Sequence, residues 1–425
     1  MLDLKKIRQN PEKYIEGLKK KGVEGEIEKI LNKDVRRRDI IREIDELRYM
    51  RNKVSREIAE IKKTGEDATD KIRQMREVGE KIKKLEGELK EISDQIEDTL
   101  SNIPNIPHPS VKVGSGPDEN IVIRQHGSKP EFDFEIKDHL ELGESLGILE
   151  FKRASKISGT GFPMFIGKGA RLERALINFM LDYHIENHGY KEVFPPYLVT
   201  RESTFGTGQL PKLEEDMYRI SEDDLFLIPT AEVPVTNIHR DEIIPEKKLP
   251  IKYVSYSACF RREAGSYGKE TRGLIRVHQF NKVELVHFTT PDASYHHLEL
   301  ILSDAEEILQ LLGLHYRIVE LCTGDLSFAA AKCYDIEVWA PATGKYLEVS
   351  SVSNFEDFQA RRANIRYRRS SDNRVDYVHT LNGSGVATPR LMVALLETYQ
   401  TDEGTVFIPE VLQKYAGFSI IKKGE

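Results

Sequence analysis

The sequence has little cysteine and no long apolar run. It contains 3 cysteines in 425 residues, Cys259, Cys322 and Cys333. These are too few and too scattered for a disulfide framework or a paired-cysteine zinc site. No stretch of about 18 uncharged apolar residues is present to cross a bilayer. The charged start MLDLKKIRQNPEKY lacks the apolar core of a secretory signal. We therefore expect a cytosolic protein with reduced thiols and no membrane association.

The chain also lacks an excess of positive charge. Its 63 Lys and Arg residues stand against 70 Asp and Glu residues, for a formal net charge of −7. This balance excludes a nucleic-acid binder that is basic throughout, but it is compatible with a local basic surface. At roughly 150 residues per domain, the length predicts two or three domains.

Proline is almost absent before residue 104, where apolar residues recur at steps of three and four. Such a seam predicts helices that pack as a coiled coil, and the short segment around Gly65 predicts an antiparallel hairpin. The hairpin spans about residues 33–100, with helices of about 30 residues and about 45 Å each. The two seams consist of Ile40, Ile44, Leu47, Val54, Ile58 and Ile61, and of Ile72, Met75, Gly79, Ile82, Leu85, Leu89, Ile92 and Ile96.

The charge of this arm leaves two interpretations open. Residues 31–100 contain 18 basic and 18 acidic residues, so the rest of the chain carries the whole −7. The arm is either a solvated coiled coil with interleaved charges or a rod whose basic side chains contact structured RNA. The basic candidates are Arg36, Arg37, Arg38, Arg42, Arg48, Arg51, Lys53, Arg56, Lys62 and Lys63.

The remainder of the chain predicts an α+β domain with a mostly antiparallel sheet, because consecutive strand-like runs have little helix between them. Three prolines in residues 101–110 indicate a linker. We therefore place domains at 1–105 and 106–425. Predicted helices cover Ala170–Asn187, Ser294–Leu312 and, as the last one, Pro389 to about Tyr399. Predicted strands cover 224–228, 252–260, 276–288, 315–321, 333–340 and 345–354.

The chemistry-bearing motifs are pairs of arginine and glutamate at strand ends. No GxGxxG following a strand and no GxxxxGK[ST] is present, which leaves Rossmann and P-loop sites unsupported. Residues 259–280 predict a hairpin with a glycine-rich loop that presents Arg261 and Glu263 opposite Phe280. The hairpin is either a surface element with cross-strand ion pairs or a phosphate clamp beside a base-stacking aromatic ring.

Three segments resemble the signature motifs of class II aminoacyl-tRNA synthetases. The helix ending at Gly189 and the strand reaching Pro195-Pro196 resemble the first motif. Residues 260–280 resemble the second, and Gly-x-Gly-x-x-x-x-Arg at 383–390 resembles the third. More specific segments, together with the helical hairpin, resemble bacterial-type seryl-tRNA synthetases over essentially the full chain. These are residues 206–218, 228–237, 259–273, 278–285, 334–341, 347–354 and 381–391.

The resemblance implies an enzyme that joins serine to ATP as seryl-adenylate and then transfers serine to the 3′ end of its tRNA. Arg261 would hold the α-phosphate and the serine carboxylate, and Arg390 would bind the γ-phosphate. Glu348 and Ser351 would hold a Mg²⁺ ion that bridges the phosphates, which suits a hard cation. The archaeal zinc ligand set is not recognisable, so the resemblance implies no zinc.

The resemblance also assigns the adenine site. Glu263 would accept a hydrogen bond from the adenine amino group, and Phe280 would stack on the base with Val277 beside it. Position 262 varies within Phe-Arg-x-Glu, so the arginine there leaves the motif intact. The full ATP set is Arg261, Arg262, Glu263, Val277, Phe280, Glu348, Val349, Ser350, Ser351 and Arg390.

Serine would bind where carboxylates meet its ammonium group and a buried partner meets its hydroxyl. A site that pairs this hydroxyl rejects alanine strongly, because alanine leaves polar groups unpaired. The implied residues are Thr230, Ala231, Glu232, Glu284, Ser384, Thr380 and Asn382. For Ser384 a plain loop hydroxyl is the competing interpretation, and for Glu232 and Glu284 it is a structural ion pair.

The resemblance gives the arm a partner, the long variable arm of serine tRNA, within a homodimer. Selenocysteine tRNA would be a second substrate where it exists. Two rival functions stay open. A relative that charges a carrier protein would lack the long arm, which this chain has. A non-catalytic relative would be expected to lose Arg261, Glu263, Glu348 or Arg390, and all four are present.

Overall fold

A computed structural model describes residues 1–262 and 272–424. The chain divides into two compact units, Leu2–Pro104 and Asn105–Glu425. The glycine-rich loop of the 259–280 hairpin, with Glu263, lies mostly outside the described residues. Within the described part, no helix is long and apolar enough to cross a membrane.

The first unit is helical. Its helices are α1 Leu4–Gln9, α2 Pro11–Lys19, α3 Glu26–Thr64 and α4 Thr69–Asn102. The side chain of Asp3 accepts hydrogen bonds at the start of α1, and Asn10 does so ahead of Pro11 in α2. Helix α3 ends at Gly65, whose φ of 81° is a left-handed conformation that costs glycine little.

Helices α3 and α4 pair as an antiparallel hairpin. Four ion pairs connect the two helices. Arg36 early in α3 pairs with Glu88 in the second half of α4, and Glu57 near the end of α3 pairs with Lys71 near the start of α4, as antiparallel helices require. The pairs are Arg36–Glu88, Glu43–Lys81, Arg48–Glu86 and Glu57–Lys71, at 2.6–2.7 Å. Ile40, Ile44 and Leu85 form a small buried core near the middle of the two helices, whereas Ile72 near the turn is 45% exposed. The predicted seam is therefore well buried only toward the end away from the turn.

The second unit is built on an antiparallel sheet. Within the described residues, eight strands follow the spatial order β1-β9-β10-β11-β14-β8-β7-β2, and only the β2–β7 pair is parallel. Their bounds are β1 Ile121–His126, β2 Lys191–Glu192, β7 Ile251–Phe260, β8 Gln279–Thr289, β9 Tyr316–Glu320, β10 Lys332–Ala340, β11 Lys345–Asn354 and β14 His379–Ala387. The α+β class with an antiparallel sheet is confirmed.

Smaller sheets and helices surround this sheet. The additional strands are β3 Leu198–Thr200, β4 Arg219–Ile220, β5 Leu225–Leu227, β6 Ile243–Pro245, β12 Arg366–Arg368, β13 Val375–Tyr377, β15 Val406–Phe407 and β16 Ile420–Ile421. The helices are α5 His139–Ser145, α6 Phe151–Ser158, α7 Lys168–His188, α8 Arg201–Thr207, α9 Glu232–Thr236, α10 Ser294–Leu311, α11 Phe358–Arg362, α12 Thr388–Thr398 and α13 Glu410–Ala416. The largest core cluster joins α7, α10 and α12 to the sheet.

The structure has more short helices and strands in the second unit than the sequence predicted, and three differences concern the large sheet and the helices packed on it. Strands β1 and β14 were not predicted, although β14 occupies the middle of the sheet. The helix starting near Pro389 is not the last, because α13 follows it. Residues 276–278 precede β8 instead of belonging to it. Strand β14 escaped the prediction because Asn382-Gly383-Ser384-Gly385 has the composition of a turn.

Candidate active site

A cavity of about 700 Å³ opens over the sheet and gathers most of the predicted site residues. Its walls come from β8, β11 and β14, from Arg261 just after β7, from residues 274–277, from the start of α12 and from the segment after α8. The predicted residues among its lining are Thr230, Glu232, Arg261, Val277, Phe280, Glu348, Val349, Ser351, Asn382, Ser384 and Arg390. Residues that lie more than 150 positions apart in the chain thus share one concave site.

Arg261 enters the cavity from the end of β7. Its Nε donates to the Pro229 carbonyl at 3.3 Å, and its guanidinium lies 5.1 Å from the centroid of the Phe280 ring. The antiparallel register places Cys259 opposite Phe280, which brings the arginine and the ring to neighbouring positions of two strands. One side chain can thus meet an anion while the other offers an apolar face.

Arg390 enters the same cavity from the first turn of α12. Its Nε donates to the Ile275 carbonyl and its Nη1 to the Glu348 carbonyl, each at 3.0 Å. Two backbone acceptors therefore fix the guanidinium, and the Glu348 carboxylate is only a distant ion partner at 3.5 Å. The two arginines expected to bind phosphates line one cavity from two different elements.

The residues expected to bind adenine are only partly described. Val277 is buried and Phe280 half-buried in the cavity wall. Arg262 is exposed and lies outside the lining, and its backbone N–H donates to the Asp216 carbonyl at 2.9 Å. Glu263, the expected adenine acceptor, lies outside the described residues.

A bulge in β11 shapes the candidate metal site. The pairing with β10 shifts between Ile336 and Glu337, so that β11 has one extra residue at Val349. In a regular strand, Glu348 and Ser351 would point to opposite faces, but the extra residue allows both to line the cavity. Ser350 is buried instead, and its hydroxyl donates to the Ser384 carbonyl at 2.6 Å.

The donor set fits magnesium held jointly with phosphate oxygens. The Glu348 side chain is 46% exposed and has room for a second ligand partner. The Ser351 hydroxyl lies 3.2 Å from the buried Cys333 thiol, a weak partner that a cation could replace. Mg²⁺ commonly uses one or two protein oxygens and substrate phosphates. Within the described residues, no group of three His, Cys, Asp or Glu side chains is arranged to hold a metal by itself.

At the far end of the cavity, two carboxylates share a hydrogen-bond network. The Asn382 amide donates to Glu284 at 2.7 Å and to Glu232 at 3.1 Å. The Thr230 hydroxyl donates to Glu284 at 3.1 Å, and Lys282 contacts the same carboxylate at 2.5 Å. With Glu232 and Glu284 ionised and Lys282 positively charged, the three groups carry a net charge of −1. This charge suits a cation of about the size of an ammonium group.

The environment of Glu232 differs from that of Glu284. Burial, followed by repulsion from Glu284, raises the pKa of Glu232 to about 7. Lys282 and Arg261 oppose this increase through their positive charges. A carboxyl group with a pKa near neutrality, placed in a cavity, is a common mark of a functional site.

Two glycines allow Ser384 to lie within the central strand. A Cβ on Gly383 would come within 2.4 Å of the Ile301 side chain in α10, and one on Gly385 within 2.8 Å of the His184 ring in α7. The two helices therefore pack directly against the backbone of β14. Ser384 is buried and lines the cavity opposite Glu284 of β8.

Three expected serine-site residues lie behind the cavity lining. Ala231 is fully buried in an apolar cluster, and Glu284 reaches the cavity through its hydrogen bonds to Thr230 and Asn382. Thr380 is fully buried, and its hydroxyl donates to the Gln359 side chain at 2.7 Å. The two-residue period of β14 places Thr380 on the same face as Asn382.

Sequence reasoning missed two polar residues of this network, Lys282 and Gln359. Lys282 had a usable signal, because residues two apart on a strand share a face and Lys282 precedes Glu284 by two. Gln359 had none, since it belongs to a five-residue helix and meets Glu232 across 127 positions of sequence.

Comparisons with known proteins decide the family. Residues 1–107 match the model of the seryl-tRNA synthetase N-terminal domain, and residues 214–399 match the class II core domain of the G, H, P, S and T synthetases. The serine–tRNA ligase of Caldicellulosiruptor bescii is 60% identical over 422 residues, which cover 99% of this chain and 100% of the relative. The chain belongs to the seryl-tRNA synthetase family.

Further relatives agree with this membership. The serine–tRNA ligase of Chlorobium phaeobacteroides is 56% identical over 426 residues, covering 99% of this chain and 100% of the relative. The crystal structure of the Pyrococcus horikoshii seryl-tRNA synthetase complexed with ATP covers all of both chains, at a TM-score of 0.95 and 42% identity. The cytoplasmic serine–tRNA ligase of Naegleria fowleri, in complex with AMP, reaches 0.90 at 29% identity over 100% of this chain and 99% of that one. Members of this family are class II aminoacyl-tRNA ligases, which confirms the predicted class.

Proposed function

We propose that the enzyme activates L-serine with ATP to seryl-adenylate and then transfers serine to the 3′ end of serine tRNA. The observation that carries this proposal is that one cavity holds Arg261, Arg390 and an acidic end around Glu232. Anionic phosphates and a cationic ammonium group therefore have oppositely charged partners within one site. Family membership supports the same reaction.

In the first step, a serine carboxylate oxygen attacks the α-phosphorus of ATP in line with the leaving group. The bond from that phosphorus to the α,β-bridging oxygen breaks, and pyrophosphate leaves with the bonding electron pair. Arg261 neutralises charge on the α-phosphate and orients the serine carboxylate, and Arg390 holds the γ-phosphate. Positioning and charge stabilisation carry most of the catalysis in such a displacement.

Adenine and magnesium complete the ATP site. Adenine stacks on Phe280 beside Val277, and Glu263 accepts from its amino group. Glu348 and Ser351 would hold Mg²⁺, which would supply positive charge to offset that of the phosphates. The oxygen donors along the bulge of β11 and the half-buried ring next to Arg261 support these assignments.

Serine occupies the acidic end of the cavity. Its ammonium group meets Glu232, and its hydroxyl pairs with the network of Glu284, Asn382 and Ser384. Alanine would leave these buried polar groups without a partner, and such a loss gives strong discrimination. The buried positions of Glu284 and Ser384 support this arrangement.

The efficiency of serine use should depend on pH through Glu232. In the free enzyme the pKa of this carboxyl group is about 7, so it becomes protonated as the pH falls through that value. A neutral carboxyl group attracts the ammonium less, so kcat/KM for serine is expected to fall about tenfold for each pH unit well below 7 and to level off above it. Pyrophosphate exchange with serine as the varied substrate measures this profile. A flat profile between about pH 5.5 and 8 would contradict the role of Glu232, and the profile for ATP is the control.

The arm supplies the tRNA contacts in this proposal. Five of its basic residues are exposed toward the turn and lie outside the interhelical ion pairs, so their charge is available to phosphates. They are Arg51, Lys53, Arg56, Lys62 and Lys63. In contrast, Arg36 and Arg48 pair with glutamates of α4. Serine tRNA is the proposed substrate, and selenocysteine tRNA is a second one in a source that has it.

We also place the enzyme in the cytosol as a homodimer. The three cysteines are buried free thiols, which suits a reducing compartment. Phe194 is 72% exposed and Leu198 is 42% exposed, and both lie close in sequence to the edge strand β2. Large apolar side chains at a sheet edge support a partner surface.

Amino-acid-dependent pyrophosphate exchange, measured with each amino acid in turn, tests the proposed function. Exchange with serine alone is expected, and transfer to tRNA should follow in an aminoacylation assay. Exchange without any transfer to tRNA would favour a relative that charges a carrier protein. No exchange with any amino acid would indicate a non-catalytic member of the family.

A further inference from the structure

Gln359 lies directly behind the acidic end of the cavity, in the short helix α11. It is fully buried, and its side chain joins three other elements. Its Nε2 donates to Glu232 Oε1 at 2.6 Å and to the Thr207 carbonyl at 3.1 Å. Its Oε1 accepts from the Thr380 hydroxyl at 2.7 Å. Every strong hydrogen-bonding group of the amide except one acceptor lone pair is therefore in use.

These partners fix the orientation of the amide. The Thr207 carbonyl can only accept, and an ionised Glu232 can only accept, so both require the NH₂ end. The Thr380 hydroxyl donates to the Gln359 oxygen and supplies the proton that this oxygen needs. A flipped amide would place its oxygen against these two acceptors and would lose both hydrogen bonds, whereas the Thr380 hydroxyl can donate or accept.

The fixed amide gives Glu232 a permanent donor on the side away from the cavity. The other oxygen, Oε2, accepts from Asn382 at 3.1 Å. The charged groups that act on this carboxylate are Glu284 and Lys282 of β8 and Arg261 at the end of β7. Burial and Glu284 both disfavour the ionised form, and the hydrogen bond from Gln359 favours it more than either Lys282 or Arg261 does.

We propose that Gln359 is a positioning residue that holds Glu232 ionised and oriented toward the ammonium group of serine. The proposal rests on the proposed function, because it requires Glu232 to bind that group. Gln359 does not line the cavity, so it acts through Glu232 and not on the substrate. Thr380 acts one step further back, since its hydroxyl orients the Gln359 amide.

A purely structural role is the competing explanation, since Gln359 also holds the Thr207 carbonyl at the end of α8. The two explanations differ in what a substitution changes. A structural loss lowers stability and affects serine and ATP alike. A positioning loss raises the KM for serine, leaves the KM for ATP unchanged and moves the pH at which serine use declines.

The test substitution is Gln359→Met, which keeps the length and burial of the side chain but removes the donor. Loss of a hydrogen bond to a charged group is expected to raise the KM for serine by about 10- to 100-fold near pH 7. The acidic limb of the kcat/KM profile for serine should shift to higher pH, because the ionised form of Glu232 has lost a donor. Raising the pH should therefore restore part of the affinity. Pyrophosphate exchange over a range of pH values gives both readouts.

Gln400→Met is the matched control. Gln400 is also a buried amide that donates to two carbonyls, those of Lys137 and Glu397, but it lies outside the cavity lining. Its substitution should lower thermal stability and leave the KM for serine unchanged. Thr380→Val provides a second test if Gln359→Met does not fold, since it removes one hydroxyl at nearly constant volume. A smaller increase in the KM for serine, with a shift of the profile in the same direction, is expected.

Glu232→Gln separates this proposal from the one on which it rests. If Glu232→Gln raises the KM for serine while folded Gln359→Met and Thr380→Val keep wild-type values and profiles, the positioning role is wrong. If Glu232→Gln itself leaves the KM for serine unchanged, the assignment of the serine site is wrong instead.

Discussion

Arg261→Ala and Arg390→Ala are each expected to lower serine-dependent pyrophosphate exchange by about 10³-fold, with the fold retained. Each guanidinium is the positively charged partner that we assign to one phosphate of ATP. Removing a preorganised charge partner from phosphoryl transfer costs roughly two to five orders of magnitude. The loss should appear mainly in kcat for Arg261, which contacts the reacting phosphate, and partly in the KM for ATP for Arg390.

The structure predicts that both variants remain folded. Arg261 is exposed, and within the described residues its side chain donates one hydrogen bond, to the Pro229 carbonyl at 3.3 Å. Arg390 is held by two carbonyls at the mouth of the cavity. Thermal unfolding should therefore differ little from that of the wild type. Arg374→Ala is the control for loss of an arginine. Arg374 lies between β12 and β13, and its side chain is 80% exposed. Wild-type exchange in Arg261→Ala or Arg390→Ala would refute the phosphate roles.

The sequence identifies these arginines through the resemblance of the surrounding segments to class II signature motifs, and local patterns predict the elements that carry them. Arg261 follows a run of alternating residues that forms β7, and Arg390 follows Pro389 in the first turn of α12. A two-residue period and a helix start are both visible over a few neighbouring positions. The order of the motifs then indicates that such residues meet, although it does not give the geometry.

Other parts of the site depend on packing between distant segments, which no local pattern records. Gly383 and Gly385 look like a turn, but α7 and α10 approach β14 so closely that a side chain would not fit. The bulge at Val349 is a mismatch between two strands and is therefore invisible in either strand alone. Gln359 gains its role only when α11 meets Glu232. The assigned roles of individual residues remain predictions until the variants are measured.

Deletion of about residues 33–100 is expected to abolish aminoacylation while serine-dependent pyrophosphate exchange persists. The physical reason is that the arm has its own small core, formed by Ile40, Ile44 and Leu85. The cavity residues lie between Thr207 and Arg390, entirely within the second unit. Adenylate formation needs only that cavity, whereas transfer needs a correctly held tRNA. Both reactions, measured on one preparation with a short glycine-rich connection in place of the arm, give the comparison.

A charge variant of the intact arm shows whether its basic side chains contact RNA or whether the hairpin is only needed as a folded element. Alanine at Arg51, Lys53, Arg56, Lys62 and Lys63 leaves the four interhelical ion pairs and the buried core unchanged. If these side chains contact phosphates, the KM for tRNA should rise, and its salt dependence should become shallower because fewer counterions are released. Exchange should stay at the wild-type rate. Equal loss of pyrophosphate exchange and aminoacylation in the deletion variant would show instead that the arm supports the catalytic unit. Adenylate formation does not require tRNA, so its loss would mean that the active site depends on the arm helices themselves.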